Sequence, residues 1–245
     1  MQAVTGPVDA VIFDWGGTLT PWHTVDVRGA WLAYARAYDP QAPADRTAEL
    51  AERLHQAEDA AWVAVRDHHT STTIAEVFAT AGIQACGQPH SAGMDAYESA
   101  WDPHTCTDPE AAPTLRALRG RGIRVGLLSN TLWSREHHER ILARDGVLPM
   151  FDGTVFSSEI GWTKPHPEAF RAAMAAVSVS DPARVVFVGD RPFDDIHGAR
   201  SVGMRTVLVP HSDIPQVQRG HTEAVPDAVV HRLSELVDVV DRWMG

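Results

Sequence analysis

Six short apolar runs constrain the fold more than any other feature: VDAVIF (8–13), IRVGLL (123–128), GTVF (153–156), RVVFVG (184–189), MRTVLV (204–209) and DAVVH (227–231). Between most of them lie helical patterns, at 112–120, 134–146, 167–177 and 194–203. Strands that are apolar throughout, rather than alternating with polar residues, are covered on both faces, and parallel strands need crossover connections of helical length. The expected architecture is α/β, a doubly wound parallel sheet.

One stretch departs from this alternation. Residues 21–105 contain no convincing strand and read as helices at 27–38, 45–69, 72–82 and 91–101. The second of these places Leu50, Leu54, Ala57, Ala61 and Val65 on one face, and the third opens on a threonine cap and closes on glycine. The expectation is a core domain of 1–20 and 106–245 with an all-helical domain, 21–105, inserted after the first strand. The borders TPWHT and DPHTCTDPEAAP have the proline-rich, polar character of hinges.

In open parallel sheets, ligands bind beyond the carboxyl ends of the strands, so the residues that follow each strand are the candidates. The first strand runs into Asp14, Gly16, Gly17 and Thr18, and the second into Ser129, Asn130 and Thr131. GWTKPHPEAF puts Lys164 just ahead of a helix, and the RVVFVG strand runs into Asp190, Asp194 and Asp195. A net charge of −11 excludes a nucleic-acid or anionic membrane partner and favours a small molecule. No apolar run approaches the roughly 20 residues of a membrane span, and MQAVTGPVDAVIF has no basic start, so a cytoplasmic location is expected. Cys86 and Cys106 lack a paired-ligand spacing and are expected to be buried or incidental thiols.

FDWGGTL, LLSN, TKPHPEAF and VGDRPFDDIHGARSVGM stand in the order of the four motifs of the haloacid dehalogenase-like hydrolases. The chain resembles that superfamily over nearly its whole length, and the helical insertion stands where the family carries a cap. The resemblance implies a Rossmann-like core and an Asp14 nucleophile that attacks a phosphoryl group. It implies Mg²⁺ held by Asp14, the Gly16 carbonyl and Asp190, with Asp195 or Asp194 orienting bound water. Phosphate would be held by Ser129, Lys164 and nearby groups of Gly17, Thr18 and Asn130, with Trp22 and His23 of the hinge as further substrate contacts. The chemistry agrees: a dianionic phosphate repels a carboxylate nucleophile unless positive charge surrounds the phosphoryl oxygens.

Lysine usage points the same way. Lys+Arg total 21, yet Lys164 is the one lysine in the chain. A compact ammonium kept at this position suits a point charge among carboxylates and phosphate better than a forked guanidinium does.

Gly16 is the departure from the family pattern. Phosphatases of this family usually carry a second aspartate there, which protonates the leaving oxygen and then activates water. Its loss removes an acid/base group of roughly 10²- to 10⁴-fold effect while sparing a backbone metal contact. Three accounts follow: a stand-in such as His23, Asp26, His68 or His69; a leaving group that needs no proton; or a degenerate site that only binds phosphate or a metabolite. Dehalogenation is not expected, because related dehalogenases use no metal and would have no use for carboxylates at 190, 194 and 195. DWGGT also resembles the phosphonoacetaldehyde hydrolases, but their Schiff-base lysine has no counterpart between residues 21 and 105. The reading is a Mg²⁺-dependent hydrolase or phosphotransferase acting on a small phosphorylated metabolite through an aspartyl-phosphate on Asp14. A phosphate- or metabolite-binding protein is the alternative. Trp31, Tyr34 and Trp62 are expected to pack between insert helices, whereas Trp22 is the aromatic expected at the site.

Overall fold

The computed structural model describes residues 6–21, 24–210 and 224–245. Strands β1 (Ala10–Phe13), β2 (Arg124–Ser129), β3 (Gly153–Phe156), β4 (Val185–Gly189), β5 (Arg205–Leu208) and β6 (Ala228–Val229) form one sheet in the order β3-β2-β1-β4-β5-β6. Every pairing is parallel. Phe13, the last residue of β1, lies opposite Leu127 of β2 and Val188 of β4, so the three central strands end nearly level. The chain leaves β1 for β2 on one side and later returns to β4 on the other. That reversal opens a crevice at the carboxyl ends of β1 and β4.

The continuous apolar strands follow from two cores. Val11 and Phe13 face one cluster with α5 (Ala111–Gly120), α6 (Arg135–Arg144) and α10 (Glu235–Met244), represented by Leu115, Leu142 and Val240. Ala10 and Ile12 face the other, with Phe170 and Ala173 of α8 (Pro167–Ala176) and Ala199 of α9 (Gly198–Ser201). Between β3 and α8 lies the short α7 (Ser157–Ile160).

The helices α1 (Val27–Tyr38), α2 (Ala44–His68), α3 (Ile74–Thr80) and α4 (Gly87–Trp101) bury a third cluster around Trp31, Tyr34, Leu54, Phe78 and Tyr97. Leu132 and Trp133, from the loop after β2, are packed into it. Truncating one of these aromatics to alanine is expected to cost about 3–5 kcal/mol. Asp26 caps α1 by accepting the Gly29 N–H, and Thr73 with Glu76 forms a reciprocal capping box on α3. The α2 face holds as expected, with Leu54, Ala57 and Val65 buried and Leu50 and Ala61 packed beside them.

Two expectations need correction. Helix α4 starts at Gly87 rather than at 91, because Pro89 sits in the first turn, where its missing N–H has no intrahelical partner to lose. Cys86 and Cys106 are both exposed free thiols, so of the expected pair, buried or incidental, burial is corrected and the incidental reading stands. Trp31 and Tyr34 are fully buried and Trp62 partly so, as packing residues should be. Among the described residues no helix is long and apolar enough to cross a membrane.

Candidate active site

The first turn of the site is built on one carbonyl. Beyond β1 the Asp14 N–H donates to the Val188 carbonyl of β4 at 2.9 Å, seating Asp14 over the crevice. The Trp15 carbonyl then accepts the N–H groups of Thr18, Leu19 and Thr20 at 3.3, 2.9 and 3.0 Å. Gly17 takes φ 86°, a conformation that favours glycine. Gly16 is different, since a Cβ added there would meet no atom of the described residues within 4 Å. Among these residues nothing steric requires glycine at 16.

Lys164 is 3% exposed, and its Nζ donates to Asp14 Oδ1 at 2.6 Å and to Asp195 Oδ1 at 2.7 Å. Burial alone would lower the lysine pKa, but the two carboxylates outweigh it and hold the ammonium above the usual range. The Lys164 backbone is gripped by Asn130, whose Nδ2 donates to the Lys164 carbonyl and whose Oδ1 accepts its N–H. Ser129, at the end of β2, is buried beside this clamp.

The next loop residue is held from below. Thr131 donates its N–H to Ser157 Oγ at 2.8 Å, and its carbonyl accepts from the same hydroxyl at 3.0 Å. Its own hydroxyl accepts the Trp133 N–H at 3.0 Å and meets His138 Nε2 at 2.8 Å. His138 is stacked on Phe156 and set edge-on to Trp15, and burial pushes its pKa down to about 3. It is a neutral wedge between the turns that carry Asp14 and Ser129.

Beyond β4 the chain forms a π-helical turn, Pro192–His197, where a regular α-helix was expected. The N–H groups of Asp195 and Ile196 both donate to the Arg191 carbonyl, at 3.0 and 3.2 Å. This widened turn brings Asp195 back beneath Lys164, and Asp195 Oδ2 accepts the Arg191 N–H at 2.9 Å. Gly189 makes room for it: an added Cβ would lie 2.3 Å from the Asp195 Cγ. Asp194 faces the Arg191 guanidinium instead, at 3.9 Å.

Asp190 is 1% exposed, and neither of its carboxylate oxygens has a partner among the described residues. Burial drives its pKa far above the carboxylate range; Arg191 opposes the rise, and Asp14 and Asp195 add to it. Asp14, Asp190 and Asp195 each present one oxygen within 4.8 Å of the others, a donor set of the hard oxygen type that takes a divalent cation. Thr18 Oγ1 and Thr163 Oγ1 are likewise buried without protein partners. Unpaired polar atoms this deep mark places where a ligand or ion completes the bonding.

The sequence candidates therefore separate. Asp14, Lys164, Asp190 and Asp195 come together; Gly16, Gly17 and Thr18 form the turn beside them; Ser129 and Asn130 end β2 at its rim. The Asn130 amide is used on the Lys164 backbone. Trp22 and His23 lie outside the described residues. Arg191 was missed, although a basic residue set inside an acidic run was a readable signal. Burial would lower its pKa, but Asp190, Asp194, Asp14 and Asp195 together hold it up. Thr163 was missed because a threonine has no distinctive spacing.

The helical insert reaches this site through the end of α2. His69 terminates the helix, and its carbonyl accepts the Thr163 N–H at 3.0 Å. Thr70 bridges Trp162, and the Ser71 N–H donates to the Gly161 carbonyl at 3.1 Å.

Known proteins agree with this architecture. A glyceraldehyde 3-phosphate phosphatase of Methanopyrus kandleri is 36% identical over 132 residues, covering 54% of this chain and 55% of that one. The chain thus spans little more than half the length of this relative. Among solved structures, a HAD phosphatase from Thermococcus onnurineus superposes with a TM-score of 0.65 at 21% identity, covering 95% of this chain and 98% of its own. An L-2-haloacid dehalogenase from Xanthobacter autotrophicus gives 0.62 at 22% identity over 96% and 98%. These two likenesses establish the fold. The family model of the haloacid dehalogenase-like hydrolases matches residues 8–203, from the start of β1 through the acidic turn after β4, and the chain belongs to that family.

Proposed function

We propose that this chain is a Mg²⁺-dependent phosphohydrolase or phosphotransferase that acts on a small phosphorylated metabolite through an aspartyl-phosphate on Asp14. The observation that carries this reading is the buried ammonium of Lys164, held between Asp14 and Asp195 beside the unpaired carboxylate of Asp190. A dry cluster of this kind is costly to bury without a charge to complete it. Four carboxylates (Asp14, Asp190, Asp194, Asp195) against two cations (Lys164, Arg191) leave a formal excess of two negative charges. One divalent ion neutralises that charge.

Asp14, Asp190 and Asp195 would hold the ion, with the Gly16 carbonyl as a further oxygen. When bound, it supplies charge stabilisation at the phosphoryl oxygens. Asp14 attacks phosphorus. Lys164, the Ser129 hydroxyl and donors of the Gly17–Thr18 turn hold the phosphoryl oxygens, and residues 21–105 act as a cap over a core of 1–20 and 106–245. The triose-phosphate substrate in the name of the Methanopyrus relative supports a substrate of this size class. With glycine at 16, substrates whose leaving group departs without a proton, such as acyl phosphates, are favoured.

The test is a pre-steady-state assay with p-nitrophenyl phosphate and acetyl phosphate, with and without Mg²⁺, on the wild type and Asp14→Asn. A metal-dependent burst that vanishes in the variant is expected. Phosphate or Mg²⁺ binding with no turnover of either compound would replace this reading with a binding protein.

A further inference from the structure

The side chains gathered at the acidic cluster are poorly suited to give a proton to a leaving oxygen. Lys164 is fixed between two carboxylates, both Asp195 oxygens are engaged, Asp190 is given to the ion in the reading above, Asp194 faces Arg191, and a guanidinium such as Arg191 does not give up its proton. The turn after β1 offers Gly16, with open space where a side chain would stand.

Of the groups the hinge and insert could bring, His23 lies outside the described residues, Asp26 is engaged in capping α1 and His68 is exposed. His69 is placed otherwise. Its carbonyl is bonded to Thr163, the residue before Lys164, and its N–H donates to the Val65 carbonyl at 2.7 Å, so its backbone is anchored on both sides. Its half-buried ring lies 6.0 Å, centroid to centroid, from Phe193, which stands between Arg191 and Asp194 in the acidic turn. The imidazole also acts on Asp194: burial raises that carboxyl, and His69 joins Arg191 and Lys164 in opposing the rise.

The backbone adds an independent observation. His69 sits at φ 55°, and among the described residues only Ser178 shares a positive φ without being glycine. Ser178 lies at the far end of the sheet, where its carbonyl accepts from Arg124 at the start of β2. A helix that ends in this left-handed conformation ordinarily takes glycine or asparagine. A histidine kept there, at a backbone cost that glycine would avoid, points to use of the side chain.

We propose that His69 is the proton donor and acceptor of this site, supplied by the helical insert in place of a side chain at position 16; this rests on the aspartyl-phosphate reading above. In the first half-reaction an Asp14 oxygen bonds to phosphorus as the bond from phosphorus to the leaving oxygen breaks. That oxygen keeps the electron pair, takes the imidazolium proton and leaves as an alcohol. In the second, water gives a proton to the neutral imidazole as its oxygen bonds to phosphorus. The phosphorus–oxygen bond to Asp14 breaks, the electron pair returns to the carboxylate, and phosphate departs with the imidazolium restored.

The experiment compares β-glycerophosphate, whose alkoxide needs a proton, with acetyl phosphate, whose carboxylate does not. Wild type, Asp14→Asn, His69→Asn and His69→Gly are measured with both, because asparagine and glycine tolerate the left-handed backbone and keep α2 intact. In single turnovers that read phosphorylation of Asp14 alone, the His69 variants are expected to slow roughly 10²- to 10³-fold with β-glycerophosphate and less than about 3-fold with acetyl phosphate, whereas hydrolysis of the aspartyl-phosphate, common to both, slows for each. Adding Gly16→Asp to His69→Asn is expected to restore turnover of β-glycerophosphate. Equal losses of the phosphorylation rate on both substrates, no loss on either, or a wild type that turns over acetyl phosphate alone would overturn the role of His69. Acetyl phosphate turnover that survives Asp14→Asn, or no turnover of either compound by the wild type, would overturn the aspartyl-phosphate reading itself.

Discussion

Asn130 holds Lys164 by its backbone: the Asn130 Nδ2 donates to the Lys164 carbonyl at 2.9 Å, and its Oδ1 accepts the Lys164 N–H at 2.8 Å. One amide thus latches the loop after β2 to the segment that carries the cation, although the two residues are 34 apart in the chain. Asn130→Ala releases both bonds while leaving every charge in place. The expected result is a fall of roughly 10²-fold in kcat/KM from misplacement of the ammonium. A stability loss of about 1–3 kcal/mol should accompany it. Turnover measured beside urea denaturation separates the two effects.

Gly16→Asp meets no steric barrier at Cβ. The variant should fold like the wild type; added to His69→Asn it should raise phosphorylation by an alkyl phosphate, up to the roughly 10²- to 10⁴-fold that acid/base groups supply, and beside an intact His69 the gain should be small. Single-turnover rates with β-glycerophosphate check this, with acetyl phosphate expected to change little in that step. A well-folded double variant with no gain would show that proton transfer does not limit the site.

Asp190 carries an opposed pair of expectations. Its carboxylate is buried without a protein partner, so Asp190→Asn should stabilise the metal-free protein at neutral pH. The same change should abolish stabilisation by Mg²⁺, which for the wild type amounts to about 2.7 kcal/mol at one hundred times Kd. Thermal denaturation in EDTA and in a Mg²⁺ series reads both. A variant still stabilised to the same degree would remove Asp190 from the ion site.

His138 sets a pH window for stability. Its folded pKa is pushed down to about 3 by burial and by His137, against roughly 6.5 for the unfolded residue. The unfolded chain therefore binds the extra proton first. The contribution of the neutral ring is complete above pH 6.5 and is lost as pH falls toward 3, at up to about 1.4 kcal/mol per pH unit. Urea denaturation across this range should give a shallower slope for His138→Phe, which keeps an aromatic ring on Phe156 without a titrating group.

The strands were readable because parallel strands covered on both faces leave continuous apolar runs, and GTVF has the bounds in the structure that it has in the sequence. Asp14 and the acidic group were readable for a related reason, since each follows a strand that ends at the crevice, whereas Lys164 was readable as the chain's one lysine, set just ahead of a helix. The π-helical turn was not, since no periodicity marks it, and that turn alone decides that Asp195 rather than Asp194 meets Lys164. Asn130 was readable as a residue of the site but not as a clamp, because its partner is set by tertiary packing. His138 gave no sign at all among 13 histidines, since nothing in its local pattern distinguishes a buried wedge from a surface ring.

Lys164 is the chain's one lysine, and it is sealed between two carboxylates. Selective ¹⁵N labelling at the lysine side chain would accordingly yield a single ε-ammonium resonance for the whole protein. Its chemical shift would follow Asp14, Asp195 and any charge bound beside them from the inside, and acylating reagents would find their only lysine target when the fold opens.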